Sequence, residues 1–249
     1  MKIVVCVSHV PDTATRIKVG ADGKTIDPAG VTYIINPYDE YAVEEALKTK
    51  EKLGTGEVVV ITLGSENNKE TIRKAFAMGA DSGVLLKDDN HRDSLGVAKA
   101  LAEEIKVQDS KLVFMGKQSV DYDNSIVGQL TSELIDFNCV TVCVKLEING
   151  DKIIAEREIE GGREIVETSL PAVITCQKGL NEPRYASLKG IMASKKKTIE
   201  EKSAASYTPT IEVVGMHLPA GKQPGRIVGS DASAVPELVR LLREEAKVI

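Results

Sequence analysis

Apolar positions in the first half of the chain fall into two alternating textures. Lys2–Val7 is an unbroken, mostly β-branched run, which predicts a strand buried on both faces. Val58–Leu63, Gly83–Leu86 and Leu112–Met115 are further strand-like runs. Between them apolar residues recur at helical spacing: Ala42, Val43, Ala46, Leu47 and Leu53; Ile72, Ala75 and Phe76; Leu95, Ala98, Leu101 and Ile105; Ile126, Val127, Leu130 and Leu134. Gly54 and Gly56 stop the first helix and Gly79 stops the second. This alternation predicts a Rossmann-like α/β fold, with a parallel sheet and helices on both faces. A small hairpin is expected at Ile17–Val19 and Thr25–Ile26, around Gly20-Ala21-Asp22-Gly23.

Beyond Val140 the helical spacing stops. Val140–Ile148, Ile153–Ile159, Ile165–Leu170 and Ala172–Gln177 read as strands, with hairpin turns at Asn149-Gly150 and Gly161-Gly162. The polar segment Glu200–Thr210 reads as a linker. A Pro/Gly-rich stretch (Leu218–Gly225) and a short helix carrying Val235, Leu238, Val239 and Leu242 follow it. The expected division is an α/β body at residues 1–199 and a linker with a C-terminal arm at 200–249, the arm suited to packing on another chain.

Composition narrows the function classes. Charged residues at 28% and hydrophobic residues at 42% fit a soluble globular protein able to bury a large core. A formal net charge of −5 argues against a dedicated nucleic-acid binder. No apolar run approaches the roughly 20 residues of a membrane span, and Met1 leads directly into a strand-like run rather than a signal sequence. The expected location is the cytoplasm, without membrane insertion. Cys6, Cys139, Cys143 and Cys176 form no CxxC pair, and the three in apolar runs read as buried structural thiols. His9, His91 and His217 lack metal-ligand spacing, so no metal site is expected.

The chain has neither GxGxxG nor GxxxxGK[ST], so ligand loops are sought at the C-terminal ends of the parallel strands. Three are candidates. Asn36-Pro37-Tyr38-Asp39 precedes a helix that Asp39 is able to cap. Thr62-Leu63-Gly64-Ser65 ends a strand where glycine admits a ligand to the backbone. Gly116-Lys117-Gln118-Ser119-Val120-Asp121-Tyr122-Asp123-Asn124-Ser125 opens a helix whose N-terminus would attract an anion. Asp121 and Asp123 there suit either helix capping or ribose hydroxyls, and the loop reads equally as an ordinary connection. No Ser/His/Asp order, Cys/His pair or carboxylate dyad singles out a catalytic residue.

Leu180–Lys197, LNEPRYASLKGIMASKKK, is the densest segment of the chain. Pro183 forces a turn. Leu188, Ile191 and Met192 then stand beside Lys195, Lys196 and Lys197. That is either a docking device, with an apolar anchor beside steering charge, or a surface loop with a solvated lysine face.

These segments together resemble the β subunit of electron transfer flavoprotein along nearly the whole chain. The most specific match is Leu180–Leu188 with Ile191-Met192 and Lys195–Lys197. Asn36-Pro37, Ala42–Ala46, Glu70–Arg73, Ala77–Asp81, Gly116–Gln118 and Glu156–Ile159 support it. The resemblance implies an electron carrier rather than an enzyme: a heterodimer with an α subunit, one FAD held mainly by that subunit, and a structural AMP in β. The AMP would be lined by the Cys6 backbone, Asn36, Pro37, Tyr38, Asp39 and Leu63. Gly116, Lys117, Gln118, Ser119, Val120, Asp121, Tyr122, Asp123, Asn124, Ser125, Ile126 and Val127 would complete its site. It further implies that Tyr38 approaches the flavin and that Glu158 pairs with an α-subunit arginine. Leu188, with Tyr185, Ile191, Met192, Lys195, Lys196 and Lys197, would dock acyl-CoA dehydrogenases, electrons leaving to a membrane quinone oxidoreductase in fatty-acid β-oxidation. Ala193 stands where the family often has lysine, and Lys189-Gly190 where Pro-Asn is common, which bears on partner identity. Two rival expectations are a bifurcating member of the family, with a second FAD in place of AMP, and a stand-alone ATP-binding stress-type protein.

Overall fold

The continuous apolar runs form the middle of the main sheet, and strands without a buried face form its two edges. A computed structural model describes residues 1–222 and 224–249; Gln223, inside the Pro/Gly-rich stretch, lies outside the described residues. The first half comprises β1 (Lys2–Cys6), β2 (His9–Pro11), β3 (Tyr33–Ile35), α1 (Pro37–Leu53), β4 (Glu57–Gly64), α2 (Lys69–Met78), β5 (Ser82–Lys87), α3 (Ser94–Gln108), β6 (Leu112–Gly116) and α4 (Val127–Ile135). The second half comprises β7 (Asn138–Asn149), β8 (Lys152–Ile159), β9 (Gly162–Ser169), β10 (Ala172–Cys176), α5 (Leu188–Ser194), β11 (Glu200–Ser203) and α6 (Val235–Arg240).

Nine strands form one sheet in the order β11-β5-β4-β1-β6-β10-β7-β8-β9, parallel from β11 to β7 and antiparallel across β7, β8 and β9. The fold class is therefore the α/β architecture that the alternation predicts, with the hairpins added at one side. Side chains alternate across the sheet as period two requires. Ile3, Val5, Val58, Val60, Leu112 and Phe114 face one core, completed by α1 and α2. Val4, Val59, Ile61, Val113 and Met115 face the other, completed by α3 and α4. The chain leaves β1 toward β4 and β5, then crosses back to β6 on the far side of β1. Open sheets with such a reversal bind ligands beyond the carboxyl ends of the strands on either side of it, here β1 and β6.

Several elements differ from the sequence pattern, among them the short antiparallel pair of β2 with β3, which forms a second sheet that no apolar run announces. The expected hairpin at residues 17–26 is reduced to one bridge, Val19 with Ile26. The start of the linker, Glu200–Ser203, is the edge strand β11, paired with Val84–Lys87. Leu188 opens helix α5 instead of lying in a loop, because Ser187 caps it by accepting from the Gly190 amide at 3.0 Å. Among the described residues no helix is long and apolar enough to cross a membrane.

Candidate functional site

Two side chains at the head of α1 hold the carboxyl end of the sheet together. Asp39 is buried, and its carboxylate accepts from the Ser8 amide after β1 at 2.7 Å and from the Gly116 amide at the end of β6 at 2.9 Å. Asn36, fully buried, donates to the Gln118 carbonyl at 2.8 Å and accepts from the Val120 amide at 3.2 Å. Asp39 therefore does not cap α1; Asn36 stands at the N-cap, with Pro37 in the first turn. Burial pushes the Asp39 carboxyl up to about 7, against opposing hydrogen bonds from Ser8, Asn36 and Gly116. Gly116 has no room for a side chain: a Cβ there would stand 2.3 Å from Asp39 Oδ1 and 2.8 Å from Tyr38 Cβ. Cys6 ends β1 between Ile61 and Met115, and burial drives its thiol far above the range of a reactive thiolate. Leu63 contributes its carbonyl, which accepts from Asn68 at 3.0 Å.

The Gly116–Ser125 loop is shaped by its own polar groups. Gln118 donates to Asp123 at 2.6 Å, Ser119 bonds Asp121, and Ser125 donates to the Lys117 carbonyl at 3.2 Å. Asn124 donates to Ser94 Oγ, and the Tyr122 hydroxyl meets His91 Nδ1 at 3.3 Å. Asp123 and Ser125 both adopt left-handed backbone, a conformation that costs free energy in non-glycine residues. Neither aspartate caps α4. Ile126 occupies the N-cap and offers no side-chain acceptor to the first amides of the helix. Gly128 brings that helix end against β10, since a Cβ would lie 2.4 Å from Thr175 Cγ2. The Lys117 ammonium sits 5.0 Å from the centroid of the half-buried Tyr38 ring.

A cavity of about 910 Å³ opens beside this loop. Val120, Asp121 and Tyr122 line it, together with the 9–33 insertion and residues 209–216 of the arm. Cys6, Asn36, Asp39, Leu63 and Gly116 do not line it; of these, Asn36 and Asp39 hold the loop and the strand ends in place. The arm closes the cavity through Lys24–Glu212 at 2.8 Å and through Met216 N to Gly23 O at 2.7 Å. Asp93 anchors it further back, accepting from Tyr207, Thr210 and Ile211 while capping α3 at Gly96. Ser8, Asn68, His91 and Asp93 are absent from the sequence-based candidates. Ser8 was reachable, since it follows the end of a predicted strand; the others carry no motif.

The Leu180–Lys197 segment lies away from that cavity, on α1 and α2. Tyr185 is 100% exposed, Leu188 82% and Met192 69%, with Ile191 also exposed. Lys195 and Lys196 point to solvent, but Lys197 does not join them. Its ammonium donates to the Ala80 carbonyl at 2.5 Å and lies 5.2 Å from the Phe76 ring centroid. Glu158 is exposed on β8 and accepts from Gln177 at 3.0 Å. The structure thus ties two of the loop candidates, Asn36–Asp39 and Gly116–Val120, to each other by hydrogen bonds. It places Thr62–Ser65 at the end of β4 beside β1, Glu158 beside Gln177 after β10, and the Leu188 cluster over α2.

Comparison with known proteins identifies the family. A family model described as "Electron transfer flavoprotein domain" matches residues 24–207. The chain is 40% identical to electron transfer flavoprotein subunit beta of Bradyrhizobium diazoefficiens over 253 residues, covering all of both chains. It is 40% identical to the Bacillus subtilis protein of the same name over 260 residues, again covering both fully. For the Sus scrofa subunit the identity is 38%, over all of this chain and 99% of that one.

Proposed function

Because the chain belongs to the electron transfer flavoprotein family as a β subunit, we propose that it binds AMP beyond the carboxyl ends of β1 and β6 and shares one FAD with an α subunit. It then ferries electrons from acyl-CoA dehydrogenases to a membrane quinone oxidoreductase. The observation that carries the nucleotide assignment is the end of α4. Its amides lack a side-chain cap and stand beside a loop that Asn36 and Asp39 hold rigid. A phosphate placed there would supply the missing acceptor, and the helix dipole favours its charge. Val120, Asp121 and Tyr122, which face the cavity, would flank the nucleoside.

Bound FAD supplies the redox chemistry. The chain's own part would be to position: Tyr38, with the Lys117 ammonium over its ring, would approach the flavin, and Glu158, held by Gln177, would offer a carboxylate to an α-subunit arginine. Leu188 and its exposed neighbours offer a separate docking face, so partner contact and nucleotide binding use different surfaces.

Denaturing the purified heterodimer and quantifying released nucleotides tests the reading. One AMP and one FAD per heterodimer are expected. Two FAD without AMP would replace it with the bifurcating form. A stable homodimer of this chain alone, hydrolysing ATP, would replace it with the stress-type protein.

A further inference from the structure

Tyr185–Met192 is exposed, yet both of its roots are fixed. At the first root, Asn181 donates to the Tyr41 carbonyl at 3.0 Å and to Glu45 Oε2 at 2.9 Å, both on α1. Three residues on, the Arg184 guanidinium grips two carboxylates of the same helix. Its Nε and Nη2 donate to the two oxygens of Glu44 at 2.8 and 2.9 Å, and its Nη1 and Nη2 to those of Glu51 at 2.6 and 3.1 Å. The Arg184 amide adds a bond to Glu44 at 3.1 Å. At the second root, Arg73 of α2 donates to the Ser194 carbonyl at 2.7 Å, and Gly190 packs where a Cβ would stand 2.4 Å from the Ala77 carbonyl oxygen.

A planar fork bound to two carboxylates fixes direction as well as distance, which a single ammonium does not do. An apolar anchor held this way loses little conformational freedom when a partner engages it. We propose that Arg184 is a positioning residue for docking: its clamp on Glu44 and Glu51 presets Tyr185–Met192 so that Leu188 is presented to the partner. This rests on the reading of Leu188 as the docking anchor. The same helix holds the nucleotide loop through Asp39 in its first turn, so one rigid rod sets both surfaces.

Arg184→Lys tests the clamp in the assembled heterodimer, because it keeps the charge beside buried Glu44 and removes the fork. Backbone amides of 185–192 should exchange about tenfold faster. With medium-chain acyl-CoA dehydrogenase and octanoyl-CoA as the reductant, KM for the flavoprotein should rise about fivefold, kcat staying within about twofold. Combined with Leu188→Ala, the lysine variant should raise KM no further than Leu188→Ala alone. Glu51→Gln, which strands no buried charge, should shift exchange and KM the same way by less. Unchanged exchange in 185–192, or effects that add to those of Leu188→Ala, would overturn the clamp. If Leu188→Ala itself leaves KM unchanged, the docking reading fails, while the exchange measurement still decides the role of Arg184.

Discussion

The carboxylate of Asp39 meets the amide of Gly116 at 2.9 Å, although 77 residues separate them. The same carboxylate takes the Ser8 amide, so one side chain ties the ends of the two central strands to the start of α1.

That tie has a pH signature. Burial raises the Asp39 carboxyl from 3.8 to about 7. Between those values the folded protein retains a proton that the unfolded chain has released. This group's contribution to stability therefore falls as pH rises from about 4 to about 7 and levels off above. Asp39→Asn removes the titration. The stability difference between wild type and variant, from urea unfolding, should shift against wild type by about 1 kcal/mol or more between pH 5 and pH 8. A constant difference would contradict the buried titration.

Gly116→Ala should cost about 1–3 kcal/mol. The added carbon would sit 2.9 Å from the Tyr38 carbonyl carbon as well as against Asp39, so backbone must move. Lower nucleotide content in the purified variant would mark the displacement of the loop; full content with unchanged unfolding would refute it.

Leu188→Ala should weaken dehydrogenase docking by about 2 kcal/mol. With the residue 82% exposed, its removal opens no cavity, and the thermal unfolding midpoint should stay at the wild-type value. KM of the flavoprotein in a dehydrogenase-coupled assay reads the first effect and calorimetry the second.

Acid should release the arm. Burial raises the Asp93 carboxyl, but the stronger pull of its donors Gly96, Thr210 and Tyr207 holds it well below the usual carboxylate range. Its stabilisation is present above about pH 4 and fades as pH drops further. Asp93→Ala removes the same bonds at neutral pH, at a cost of about 2 kcal/mol. Faster proteolytic cleavage within residues 204–216 of that variant is expected, with the body left intact; cleavage at the wild-type rate would show the arm to be held elsewhere.

The central strands were legible because continuous apolar runs have one resting place in such a sheet, and the Asn149-Gly150 and Gly161-Gly162 turns announce their hairpins. Two of the candidate loops, Thr62–Ser65 and Gly116–Ser125, are legible as strand ends; Asn36–Asp39 follows β3, a short strand that the apolar pattern does not announce. Their joinery is not legible: Asp39 reads as a cap in a linear sequence, and nothing in its neighbourhood points to Ser8 or Gly116. Lys197 looked like part of a charge cluster until Phe76 and Ala80 came beside it. Helix α5 is hidden in the sequence because Pro183 and Gly190 argue locally against helix, whereas the Ser187 cap and contact with Ala77 decide in its favour.

Strand β11 is hidden in the sequence for another reason. Its sequence, Glu200-Glu201-Lys202-Ser203, has no apolar face, and as the last strand of the sheet it needs little. Val84, Leu85 and Leu86 of β5 would otherwise present an apolar strand with open backbone donors and acceptors, a template for pairing with any passing chain. By covering that rim with four polar residues, three of them charged, the protein guards itself against edge-to-edge aggregation while it waits for a partner.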